Sequence, residues 1–201
     1  MVRFAFVVKK HSALIRDNPR TNTLLSQDLE LHINLCYIIN MLVYHGSNVK
    51  VEKPRIITPN RALDFGSGFY TTTNIEQAKS FANNVVNRHE GRGLPTISYY
   101  EVDFVKITNE FNTLKFDHAN DEWLDFVYAN RTAKYSGIQY DVIIGPVAND
   151  TVYRVFRLYE NGDLDRETVI KRLKITELFN QVAFCAEKAI AELKFIKSEE
   201  V

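Results

Sequence analysis

The spacing of apolar residues changes along the chain, and these changes predict β-strands mixed with short helices. Residues 96–104 alternate with a period of two, which is typical of a half-buried strand. Residues 75–85 place apolar side chains at helical spacing, and Asn74 with Gln77 resembles a capping box at the helix start. Further runs predict strands over residues 42–47, 140–147 and 181–185, and helices over residues 119–131, 152–159 and 165–173. Strands and helices without a regular repeat predict an α+β fold.

Two glycine-containing blocks lie within one short span of the chain, and together they indicate a ligand-binding site. The first predicted strand ends in His45-Gly46, which would deliver an imidazole and a closely approachable backbone to the edge of a cleft. Gly66 and Gly68 precede an aromatic pair of strand-forming residues, a spacing that lets the backbone come near a ligand. Taken singly, each block is more often a plain turn. The second block lacks the third glycine of a dinucleotide fingerprint and the lysine of a phosphate loop, so both motifs are excluded.

Composition and charge restrict the classes of function. The chain has 201 residues, of which 45% are hydrophobic and 12% aromatic, enough for one well-packed domain. The 25 basic residues balance the 25 acidic residues, which argues against nucleic acid as the main partner. Cys36 and Cys185 form no paired motif, and the five histidines show no metal-site spacing, so we expect no disulfide framework and no metal. We expect a reducing, cytoplasmic location, and the polar residues within the apolar run at 29–44 argue against a membrane span.

The ordered blocks His45-Gly46-Ser47 and Phe65-Gly66-Ser67-Gly68-Phe69-Tyr70-Thr71-Thr72 resemble the poly(ADP-ribose) polymerase and diphtheria-toxin branch of the ADP-ribosyltransferases. More closely, residues 43–201 resemble a bacterial family of unknown function that is assigned to this superfamily and often lies in toxin and antitoxin gene neighbourhoods. The closer resemblance includes residues 140–150 and 180–184. It implies a split antiparallel β-sheet core with peripheral helices. It also implies NAD as co-substrate.

The resemblance begins almost at Met41, and this divides the chain into two parts. Residues 41–201 are expected to form the ADP-ribosyltransferase-like domain. Residues 1–40 are either an upstream stretch, with Met41 as the true start, or an extension that binds a partner. Residues 49–61 contain two prolines and predict a loop, which by resemblance is the donor loop that lies over NAD.

The resemblance also implies roles for individual residues. His45 would hydrogen-bond a ribose hydroxyl, and the backbone of Gly46 would hold the nicotinamide amide. Tyr70 would stack on the nicotinamide ring, and Gln181 stands where the polymerases place a catalytic glutamate. The implied catalytic residues are His45, Tyr70 and Gln181, and the implied NAD-binding residues are His45, Gly46, Ser47, Gly66, Gly68 and Tyr70.

Gln181 changes the expected chemistry, because a carboxamide can hold a ribose hydroxyl but cannot act as a general base at neutral pH. We therefore expect a toxin-like mono-ADP-ribosyltransferase that modifies a macromolecular acceptor, with an antitoxin protein as a possible partner. The alternatives are an enzyme that hydrolyses NAD, a silent module that binds NAD or a partner, and an unrelated structural domain. Glu177 and Glu187 are further candidates for the acidic role, although charged residues beside a core strand are usually solvated. Cys185 fits a buried apolar residue better than a nucleophile.

Overall fold

A computed structural model describes residues 40–57, 63–147, 150–175 and 180–201. The predicted extension lies outside these ranges except for Asn40, and so do Cys36, Glu177 and part of the predicted donor loop. The described residues contain seven strands and six helices. These are β1 (Asn40–Ser47), β2 (Phe69–Thr72), α1 (Ile75–Arg88), β3 (Thr96–Asp103), α2 (Phe104–Glu110), β4 (Thr113–Lys115), α3 (Asp121–Arg131), β5 (Val142–Pro146), α4 (Asp150–Glu160), α5 (Arg166–Ile175), β6 (Asn180–Phe184), α6 (Glu187–Ile190) and β7 (Lys194–Glu200).

The seven strands form one mixed sheet in the order β4-β5-β6-β2-β1-β3-β7. Among the described strands, five of the six neighbouring pairs are antiparallel, and β4 with β5 is parallel. The prediction of an α+β fold is confirmed. β1 pairs with β3 from Asn40 to Ser47, but it pairs with β2 only where Tyr44 meets Thr72. Because β1 and β2 are paired at this one position, backbone hydrogen bonds do not hold the two strands together on either side of it.

Helix α1 begins where the sequence predicts, although a different residue completes its cap. The Asn74 side chain accepts a hydrogen bond from the Gln77 N–H at 3.0 Å, as an N-cap does. In a capping box, the Asn74 N–H would donate to the Gln77 side chain. Here the Asn74 N–H donates to the Thr72 hydroxyl at 3.1 Å instead. Thr72 also donates to the Gln77 carboxamide at 2.5 Å. The end of β2 is therefore tied directly to the first turn of α1.

The prediction of a half-buried strand at residues 96–104 is wrong in two respects. All five residues from Thr96 to Tyr100 are buried, because the sheet is covered on both faces. Tyr99 packs with Ala78 of α1 on one face, and Tyr100 packs with Phe69 on the other. The strand ends at Asp103, whose carboxylate accepts from the Lys106 N–H at 2.9 Å and so caps α2. Helix α2 and strand β4 were not expected from the sequence pattern.

The aromatic stripe predicted for residues 119–131 belongs to the core. Trp123, Leu124 and Val127 of α3 are completely buried, and Phe126 is partly buried beside them. The Trp123 indole N–H donates to the Pro146 carbonyl at 3.1 Å, which fastens α3 to the end of β5. In the described ranges, no helix has the length and apolarity needed to cross a membrane.

Candidate functional site

A cleft of about 1040 Å³ lies where β1, β2 and one face of α1 meet. Its lining includes six of the seven residues that the sequence analysis singled out, from three separate parts of the chain: His45, Gly46, Ser47, Gly68, Tyr70 and Gln181. The seventh, Gly66, supports the wall, because its carbonyl accepts a hydrogen bond from the Tyr70 hydroxyl. The structure thus gathers the predicted site residues around one cavity. Of the predicted donor loop, residues 49–57 are described, and Ile57 forms an isolated bridge with Gly68.

The two glycines that line the cleft lie close to neighbouring backbone, and at Gly46 the packing requires glycine. A Cβ on Gly46 would lie 2.2 Å from the Ala78 carbonyl oxygen, so only glycine lets α1 lie this close to β1. A Cβ on Gly68 would lie 3.0 Å from the Phe184 carbonyl oxygen, which is tight for the pairing of β2 with β6. Gly46 directly follows His45, so its close approach brings the backbone beside His45 against α1.

His45 is held in one tautomer and in one place. Its Nδ1 lies 2.7 Å from the Tyr70 carbonyl oxygen, and its ring packs on Phe69 with the centroids 4.4 Å apart. A carbonyl oxygen can only accept, so Nδ1 carries the proton and donates it, and Nε2 keeps its lone pair. Burial lowers the pKa of the imidazole below its usual value, which keeps the ring neutral at pH 7. His45 therefore offers a hydrogen-bond acceptor at Nε2.

The Tyr70 hydroxyl is engaged in the wall of the cleft. It donates to the Gly66 carbonyl at 2.7 Å and accepts from the Phe65 N–H at 3.1 Å. Gly66 has a φ of +77°, a conformation that suits glycine in this turn. Burial raises the pKa of the Tyr70 phenol, so it stays protonated at neutral pH. Tyr70 consequently contributes its ring to the cleft and its hydroxyl to the turn at residues 65–66.

Gln181 is buried and contacts a charged pair that the sequence analysis missed. Its Nε2 lies 3.3 Å from Asp64 Oδ2, while Asp64 Oδ1 lies 2.6 Å from Arg131 Nη2. The side chains of Asp64 and Arg131 are 8% and 15% exposed, and both line the cleft beside Gln181. Asp64 and Arg131 are 67 positions apart in the chain, so no local pattern indicates that they pair.

The wall formed by α1 carries a second aromatic ring that was not singled out. Phe81 lines the cleft and is 42% exposed, whereas a phenylalanine on a surface helix normally faces the core. The Arg88 guanidinium lies 5.5 Å from its ring centroid. No sequence pattern indicated this, because Phe81 is three positions after Ala78 and helical spacing assigns it to the apolar face of α1. Arg157 and Glu160 of α4 also line the cleft.

The other candidates for chemistry lie elsewhere. Glu187 is exposed at the first residue of α6, outside the cleft lining. Burial raises the pKa of the Cys185 thiol to about 12, so the thiol is protonated at neutral pH. Within the ranges that the structure describes, His, Cys, Asp and Glu form no group of three or more that could hold a metal ion.

Comparison with known proteins places the domain in a family. No curated protein matches the chain. A family profile whose description is "Protein of unknown function (DUF3990)" matches residues 41–195, which run from the second residue of β1 into β7 and include every predicted site residue. The prediction of a family of unknown function over this part of the chain is confirmed, and the chain belongs to the DUF3990 family.

Proposed function

We propose that the protein is an NAD-dependent mono-ADP-ribosyltransferase with an ADP-ribosyltransferase-like fold. The observation that carries the proposal is the arrangement of His45, Tyr70 and Gln181 around one cleft. These residues come from β1, β2 and β6, and each offers the kind of group that a ribosyl-nicotinamide ligand requires. The sequence resemblance supplies the identity of the ligand, and the geometry is compatible with it.

His45 and Tyr70 suit the two halves of that ligand. The Nε2 lone pair of the neutral His45 ring can accept a hydrogen bond from a ribose hydroxyl. The Tyr70 ring gives a surface for stacking an aromatic ring such as nicotinamide, a contact of roughly 0.5–1.5 kcal/mol beyond its burial. Phe81 of α1, the helix that forms another wall of the cleft, offers a second aromatic surface. Two rings in one cleft favour a planar ligand.

The reaction needs positioning and charge stabilisation more than covalent help from the protein. The bond between the ribose C1′ and the nicotinamide nitrogen breaks, and nicotinamide leaves with the bonding electron pair. A nucleophile of the acceptor forms the new bond at C1′ and gives its proton to solvent. The transition state has oxocarbenium character, so hydrogen-bond acceptors and negative charge near the ribose stabilise it. Gln181 supplies an acceptor but no base, which favours one transfer to a nucleophilic acceptor over chain elongation.

A second candidate function is a module that binds NAD without turnover. The observation in its favour is that position 181 holds a carboxamide, which is uncharged at every physiological pH. For the transferase, the toxin-like role, the antitoxin partner and the macromolecular acceptor are proposed from the resemblance alone. The cytoplasmic location is proposed from the absence of paired cysteine motifs in the sequence.

Transfer of label from NAD to lysate macromolecules tests the proposal. We expect the wild-type protein to attach label carried on the adenosine part of NAD, and His45→Ala to attach at least about tenfold less, as the loss of one well-placed hydrogen bond predicts. His118→Ala is the matched control, because His118 is exposed and lies outside the cleft lining. Saturable NAD binding that depends on His45, with no transfer, would favour the silent module. Neither binding nor transfer would refute both candidates.

A further inference from the structure

Asp64 connects two residues of the cleft that are far apart in the chain. Its Oδ1 accepts hydrogen bonds from Arg131 Nε at 2.7 Å and Nη2 at 2.6 Å, and its Oδ2 accepts from Gln181 Nε2 at 3.3 Å. Arg131 comes from the last turn of α3 and Gln181 from β6, so three separate segments meet at one carboxylate. Both partners of the ion pair are nearly buried, and a buried pair of this kind is strongly disrupted when one partner is removed.

The carboxylate decides which way the Gln181 side chain faces. An ionised carboxylate has only acceptors, so the group of Gln181 that faces Asp64 is the NH₂ and its Oε1 is turned away. A carboxamide without such a partner can present either end to a ligand. Asp64 also places a negative charge directly behind the amide. In a site of low dielectric constant, that charge polarises the amide and strengthens Oε1 as an acceptor.

The same short segment also holds Tyr70. Phe65 and Gly66, which follow Asp64 directly, bind the Tyr70 hydroxyl through their backbone N–H and carbonyl. The carboxylate is thus held by Arg131 on one side, and its segment is fixed by Tyr70 on the other. This one turn therefore contacts both side chains, Gln181 through the Asp64 carboxylate and Tyr70 through the backbone of residues 65 and 66.

We propose that Asp64, held by Arg131, is the positioning residue that makes Gln181 present a hydrogen-bond acceptor to a ribose hydroxyl of the donor. In this arrangement the acceptor atom belongs to Gln181 and the negative charge belongs to Asp64. Together the two residues supply the acceptor and the negative charge that a glutamate would supply alone at position 181. This inference rests on the proposed function, because the ligand is the NAD ribose, and it adds a residue and a mechanism that the resemblance does not include.

The placement itself is tested without NAD. In Gln181→Glu, the introduced carboxyl group lies next to the Asp64 carboxylate, and we expect its pKa to rise at least about one unit above the ordinary value of about 4.3. In Asp64→Asn combined with Gln181→Glu, the repulsion is gone and Arg131 remains, so the pKa should fall below that of the single variant. Carbon-13 NMR titration of the introduced carboxyl group measures both values. Equal pKa values in the two proteins would overturn the inference.

The effect on the donor is tested with purified protein and NAD. We expect Asp64→Asn to lower kcat for nicotinamide release by about 10-fold to 100-fold, with the Kd of NAD within about threefold of wild type, because His45 and Tyr70 still bind. Asp141→Asn is the matched control: Asp141 pairs with Lys188 Nζ at 2.7 Å, is 14% exposed, and lies outside the cleft lining. An equal loss of kcat in both variants would show mere destabilisation and overturn the inference.

The two experiments separate this inference from the proposed function. If the wild-type protein neither binds NAD nor releases nicotinamide, the proposed function fails, and the titration still decides whether Asp64 faces position 181. If the wild-type protein turns over NAD and Asp64→Asn has the wild-type kcat, the proposed function stands and the positioning role of Asp64 is refuted.

Discussion

Replacing Tyr70 with phenylalanine removes one oxygen atom from the wall of the cleft, and we expect a large loss of stability. The hydroxyl bridges the Phe65 N–H and the Gly66 carbonyl, and Phe65 is 3% exposed. Each buried polar group left without a partner costs about 1–3 kcal/mol. Two such groups, partly rescued by water, should lower the free energy of unfolding by about 2–4 kcal/mol. That loss is a large fraction of the 5–15 kcal/mol typical of a domain.

Urea unfolding measures this loss, and the chain contains a suitable probe. Trp123 is the single tryptophan and is fully buried, so its fluorescence reports loss of the core. With a urea dependence of about 2 kcal/mol per molar, the unfolding midpoint of Tyr70→Phe should fall by about 1–2 M. Tyr135→Phe is the matched control, because the Tyr135 hydroxyl donates to the Ile138 carbonyl in an exposed turn, and its midpoint should change little. If the two variants shift equally, or if neither shifts, the account of the Tyr70 hydroxyl is wrong.

Two further predictions concern β1. Gly46→Ala should destabilise the domain by about 3 kcal/mol or more, because its Cβ would meet backbone atoms of Ala78 and Ala82 that cannot rotate away; a thermal midpoint like that of Ser47→Ala would contradict this. The His45 ring should titrate below the ordinary value of about 6.5 in proton NMR. Because the unfolded chain then binds the proton first as pH falls, stability should decrease below about pH 6.5, and this slope should disappear in His45→Ala. A His45 pKa above 6.5 would refute the neutral ring.

Several elements follow from local chemistry, and the sequence was sufficient to predict them. The start of α1 depends on Asn74, which forms its bond to Gln77 within three residues. The aromatic stripe of α3 is visible as a period of 3.6 residues, and Trp123 proves to be core. The prediction that His45, Tyr70 and Gln181 share one site came from the resemblance, and the structure places all three around the cleft.

The remaining features depend on which distant segments meet. β3 alternates polar and apolar residues, yet it is buried on both faces because a second layer covers it. The contact between Asp64 and Arg131 joins a turn to a helix end. No local sequence pattern predicts that this contact forms or what its geometry is. Phe81 is three positions after Ala78, so the period of α1 assigns it to the apolar face. Its exposure within the cleft depends on how α1 packs against the sheet, which the period does not show.

Nicotinamide release from NAD tests the central claim most directly. Purified wild-type protein, His45→Ala and His118→Ala would be compared with and without a cell lysate as the source of acceptor. The account predicts release by wild type and His118→Ala that increases when lysate is added, and little release by His45→Ala. Release that is unchanged by His45→Ala, or no release and no NAD binding by the wild-type protein, would contradict it.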